Sequence, residues 1–161
     1  MFDFLLIFFL TKIRQSNNKS KDYDIMTHFE SLIKSIPHPS GVVFDFLSNF
    51  DNFESLLPHD KISNWESTGD TCRFSVQGIG ELGLKIIEKN SSQTIKYSTN
   101  GKSPFNFFLW VQLKDVNENE CRLKLTLHAE LNPMLEMIVS EPIKKFLEIL
   151  ADSIANYHYQ G

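Results

Sequence analysis

The stretch Arg122-Leu123-Lys124-Leu125-Thr126-Leu127-His128-Ala129-Glu130-Leu131-Asn132-Pro133 decides the fold, because the hydrophobic period changes inside it. Up to Leu131 the apolar residues Leu123, Leu125, Leu127, Ala129 and Leu131 alternate with Arg122, Lys124, Thr126, His128 and Glu130, the period-two pattern of a strand with one wet face. Asn132 then offers a side-chain oxygen to cap a helix, and Pro133 suits the first helical position, where no N–H is needed. Beyond it Leu135, Ile138, Val139, Ile143, Phe146, Ile149, Leu150, Ile154 and Tyr157 recur at three- and four-residue steps and form one apolar stripe. Burying about eight such side chains contributes on the order of 10 to 20 kcal/mol of gross stabilisation. The stripe therefore belongs against the sheet. Pro142 falls within it and removes a helical hydrogen bond, which predicts a kink or a short break.

Towards the N-terminus, Phe29 to Ile36 reads as a first strand ended by Pro37-His38-Pro39. Ser40 caps a short helix carrying Val43, Phe44, Phe46, Leu47 and Phe50, and Asn52 to Leu57 is a second helical turn stopped by Pro58. Strands follow near Lys61 to Glu66, Thr71 to Gln77, Glu81 to Lys89, Gln93 to Thr99, Phe107 to Lys114 and Cys121 to Leu131, separated by turn residues such as Gly78-Ile79-Gly80 and Asn100-Gly101. Short connections imply antiparallel neighbours. The expectation is an α+β fold of about seven strands curved around one long C-terminal helix, with two short helices after the first strand.

The chain has 161 residues, 42% of them hydrophobic and 12% aromatic, which suits a single domain with a sizeable core. A formal net charge of -4 without a basic cluster argues against nucleic acid or an anionic membrane as the main partner. Cys72 and Cys121 each share the parity of their strand's apolar residues and read as buried free thiols, which suits a reducing cytoplasm. The apolar run Phe2 to Ile13 is too short to span a membrane and lacks a basic n-region and a small-residue cleavage site. The domain is placed at residues 26–161. Residues 1–25 read as an extension outside it, with translation starting at Met26; a short membrane-surface anchor is the alternative.

Phe44-Asp45-Phe46-Leu47-Ser48-Asn49-Phe50, Leu57-Pro58, the Gly78-Ile79-Gly80 turn and the closing helix, in this order of elements, resemble the START-like SRPBCC superfamily, also called the helix-grip or Bet v 1-like fold. The likeness covers about Thr27 to Tyr157. It implies a curved antiparallel sheet gripping the long helix around a cavity for apolar molecules. Members include lipid carriers, polyketide cyclases and dehydrases, ubiquinone-binding proteins and co-chaperone-like modules. Residues 1–25 depart from that pattern.

Little in the chain points to chemistry. Gly78-Ile79-Gly80-Glu81-Leu82-Gly83 has the G-x-G-x-x-G spacing, yet Leu82, Leu84 and Ile86 alternate as a strand where a nucleotide site needs a helix N-terminus. No cofactor is expected. The histidines His28, His38, His59, His128 and His158 form no metal-binding pair; His128 is expected to be solvated, and His59 lies near the expected cavity rim. The inward strand faces carry no Asp, Glu, Lys, Arg or His and offer only Tyr97 and Cys72 for acid–base work.

An apolar lining with few polar groups suits a binding site. Phe74, Leu84, Tyr97, Phe105, Phe107, Leu109 and Leu125 from the sheet, with Met134, Met137 and Ile138 from the closing helix, are the cavity candidates. The leading expectation is binding of an apolar small molecule or lipid without catalysis. An enzyme of the cyclase, dehydrase or isomerase kind, using Tyr97, Glu136 or a rim histidine, is the first alternative. The second is a protein-interaction module that presents Phe108 and Trp110, on the opposite parity, as an outer patch.

Overall fold

The computed structural model describes residues 26–160. The proposed start at Met26 and the alternative anchor concern residues 1–25 and lie outside the described residues. The strands are β1 (Met26–Glu30), β2 (Lys34–Ile36), β3 (Ile62–Ser67), β4 (Thr71–Val76), β5 (Gly80–Asn90), β6 (Thr94–Thr99), β7 (Phe107–Asn117) and β8 (Glu120–Glu130). The helices are α1 (Ser40–Leu47) and α2 (Pro133–Asn156), with 3-10 turns at Phe50–Asn52 and Glu54–Leu56 between α1 and β3. All pairings are antiparallel, and the sheet order is β1-β8-β7-β6-β5-β4-β3. This is the α+β helix-grip architecture.

The single first strand expected from Phe29 to Ile36 is two strands, because β2 also pairs with β8. Between them Ser31 keeps hold of β8: its N–H donates to the Leu125 carbonyl and its Oγ accepts from the Leu125 N–H, both at 2.9 Å. Register irregularities between Ser63 and Glu66 in short β3, and between Ile86 and Glu88 and Asp115 and Asn117 in the longer β5 and β7, are places where a strand twists more sharply. Gly83 does more than bend β5. A Cβ there would sit 2.0 Å from the Asn100 carbonyl oxygen, and the Asn100 N–H donates to the Gly83 carbonyl at 2.8 Å.

Asn132 caps α2, its Oδ1 accepting from the Leu135 N–H at 2.8 Å. Of the kink or short break expected at Pro142, the break does not occur: the helix is continuous from Pro133 to Asn156. The carbonyl freed by Pro142 is that of Ile138, four residues back in an exposed turn that water can reach. Val139, Ile143, Leu147, Leu150, Ala151 and Ile154 form the buried face of α2. Opposite them the inward rows of β4 to β8 are buried, among them Cys72, Phe74, Leu84, Tyr97, Leu109 and Leu125.

Candidate functional site

Phe74 of β4, Leu84 of β5, Tyr97 of β6 and Leu109 of β7 converge where Phe146 and Leu150 of α2 face the sheet. The segment between α1 and β3 closes one side with Phe50, Phe53 and Leu57, and Trp65 of β3 completes the wall. The space left among them is about 10 Å³, close to the minimum that holds one water molecule. The open cavity expected between sheet and helix is thus filled by aromatic rings. Phe53 stacks on Trp65 with centroids 6.3 Å apart, Trp65 tilts over Phe74 at 5.3 Å, and Phe50 tilts against Tyr97 at 5.2 Å.

Phe105, Phe107 and Leu125 are buried in the same core but do not border this space. Met134, Met137 and Ile138 are not cavity residues: they are 71%, 86% and 59% exposed. The reason is angular. The buried face of α2 begins with half-buried Leu135 and buried Val139, and at about 100° per residue Met134, Met137 and Ile138 point away from it.

Few polar atoms enter the site, and those that do are engaged or held neutral. The Tyr97 hydroxyl donates to the Leu47 carbonyl at 2.8 Å, and burial pushes its pKa well above the usual phenol range. Burial likewise raises the Cys72 thiol to about 12. Neither group ionises at neutral pH. Glu136 lies exposed on α2, and His59 is exposed at a separate open hollow beside Phe46, Asp51, Glu54 and Tyr157, so the three groups considered for acid–base work do not meet. Among the described residues no group of three or more His, Cys, Asp and Glu is placed to hold a metal ion. Gly80 opens β5 directly, so a strand and not a helix N-terminus follows the glycine-rich turn, whose Gly78 and Gly80 take φ of +86° and +114°.

On the other side of Phe146 lies a surface cleft of about 190 Å³, walled by Pro58, Val76, Pro142 and Ile149 and flanked by Gln77, Lys61 and Lys145. A larger open hollow, about 920 Å³, runs past Glu66, Arg73, Glu81 and Lys102. It is a solvated polar surface, in which Arg73 pairs with Glu66 at 2.9 Å and with Glu81 at 3.4 Å.

The outer sheet face departs from expectation. Lys124, Thr126 and His128 are buried rather than solvated, at 3%, 1% and 2% exposure. Their polar atoms are met across the strands: Lys124 Nζ lies 3.0 Å from Glu30, and Thr126 Oγ1 donates to Gln112 Oε1 at 2.8 Å. The His128 ring stacks on His28 at 3.8 Å and meets the edge of Trp110 at 4.7 Å. Phe108 and Trp110 do share this outer face, with Lys96 Nζ 4.5 Å and 5.0 Å from their ring centroids. Trp110 is nevertheless buried. Cys72 and Cys121 are buried free thiols, as expected.

Sequence reasoning did not single out Phe50, Phe53, Trp65, Phe146 and Leu150 as lining residues. Phe146 and Leu150 were legible on the α2 stripe. Trp65 was not, because Asn64 takes a left-handed φ of 57° at the β3 irregularity and shifts the strand's parity.

The sequence matches no family model and no curated protein. In three dimensions it is similar to norcoclaurine synthase from Thalictrum flavum in complex with dopamine and hydroxybenzaldehyde, at TM-score 0.65 and 14% identity over 86% of this chain and 91% of that one. It is similar to a START superfamily protein from Mycobacterium smegmatis, at TM-score 0.58 and 12% identity over 81% and 94%. The Zhui aromatase/cyclase from Streptomyces sp. R1128 follows the same path at TM-score 0.54 and 16% identity over 80% and 93%. Eight antiparallel strands closing on one long helix, with the same course through these structures, give the chain the START-like, Bet v 1-like helix-grip fold.

Proposed function

We propose that this protein binds an apolar small molecule or lipid between its sheet and α2 without transforming it. The observation that carries this reading is the lining itself. Ten of the eleven side chains around the interior space are hydrocarbon, aromatic or thiol groups, and the remaining one, Tyr97, has its hydroxyl occupied by Leu47. Such a surface offers a ligand dispersion and exclusion from water, and no ionised group to drive a reaction. A filled interior requires the aromatic side chains to move aside for the ligand, so binding and opening are one event. Norcoclaurine synthase, solved with dopamine and hydroxybenzaldehyde, is an instance of this fold holding small organic molecules. Buried free thiols suit a reducing compartment, and the cytoplasm is the proposed location.

Native mass spectrometry of the protein after incubation with a total lipid extract tests the reading. One saturable adduct, released unchanged in mass on denaturation, is the expected result. A protein that stays empty across neutral and anionic lipid fractions overturns it, and an adduct released with altered mass favours the enzyme instead.

A further inference from the structure

We infer that the ligand is a single apolar chain with an anionic head group, entering past Phe146 and leaving its head between Lys61 and Lys145. This deepens the reading of an apolar-ligand site and rests on it. Phe146 is half-buried and borders both spaces: the interior of about 10 Å³, where its ring stacks on Phe74 at 6.4 Å, and the surface cleft of about 190 Å³. The residues on either side of it are also adjacent in the chain. Leu57 lines the interior and Pro58 the cleft; Leu150 lines the interior and Ile149 the cleft. One side chain therefore partitions two continuous apolar surfaces, and its rotation joins them.

The mouth has a sign. The charged groups of the cleft are Lys61, just before β3, and Lys145 of α2, and no carboxylate lines it, although the chain as a whole carries a net charge of -4. Among the described residues neither lysine forms an ion pair, whereas adjacent Lys144 lies 3.3 Å from Glu141. Two ammonium groups on separate elements above an apolar wall match an amphiphile whose tail is drawn inward and whose anion stays at the surface.

The test is titration of the full chain with decanoate, decyl phosphate and decanol, followed by the fluorescence of Trp65, with Trp110→Phe removing the outer indole. Both anions should bind more tightly than decanol, and whichever anion is favoured names the head group. Lys61→Gln/Lys145→Gln should weaken the anions by roughly 3- to 20-fold and leave decanol within about 2-fold, with the same selective loss at high salt. Phe146→Ala and the milder Phe146→Leu should both speed association of all three probes. Equal affinities for anions and alcohol, or equal losses in the lysine variant, would overturn the head-group assignment while the apolar site stands. Unchanged association rates in both Phe146 variants would overturn the gate. Absence of binding by all three would defeat the apolar-ligand reading itself.

Discussion

At the scale of single residues, the polar groups that matter are those held away from water. His128 is paired directly opposite His28 in the β1–β8 register, and its pKa is lowered to about 4 by burial first, then by the neighbouring His28 and Lys96. The folded value lies below the unfolded one of about 6.5, so the unfolded chain takes up a proton that the native state refuses. Stability from this group is full above about pH 6.5 and declines as pH falls towards 4, by on the order of 3 kcal/mol in all. Urea denaturation at pH 7 and pH 4.5 should show this loss, and His128→Gln should remove most of it. A variant with the parent's pH slope would place the loss elsewhere. The burial of His128 was not legible in the sequence: alternation gives the face of a strand, and lateral packing by His28 and Trp110 decides how wet that face is.

At the scale of elements, the start of the closing helix and most of its buried stripe were readable because their signals are local, although Ile138 of that stripe is exposed. The Asn132 cap, Pro133 in the first turn and the stripe through Ile154 all act within one helix. Non-local conditions were not readable. Pro142 does not break α2, and Gly83 is fixed by a backbone on a different part of the chain. Gly83→Ala forces a Cβ onto the Asn100 carbonyl and should cost about 3 kcal/mol, since two strand backbones would have to part. Gly41→Ala is the contrast. It sits in α1, its Cβ would meet only Ser92 Oγ at 3.6 Å, and helix propensity predicts a gain of about 0.5 to 1 kcal/mol. Both differences are measurable by chemical denaturation, and equal effects at the two glycines would contradict the close approach at Gly83.

At the scale of the whole molecule, the sheet and α2 together enclose an apolar interior among the described residues, and the proposed guest is placed there. The inward rows of β4 to β8 were legible from strand parity, and the structure buries their residues from Phe74 to Leu125 apart from Ile86, which is half-buried at the β5 irregularity. The fill of that interior was not legible, because it depends on where Phe53, Trp65 and Phe146, on three separate parts of the chain, come to rest against one another. In the proposed function these rings yield to an apolar ligand. Intermolecular nuclear Overhauser effects in the complex with decanol test it most directly. Contacts from the alkyl chain to Phe74, Leu84 and Tyr97 are expected; contacts confined to the exposed Met134 and Met137, or no saturable complex, would refute enclosure.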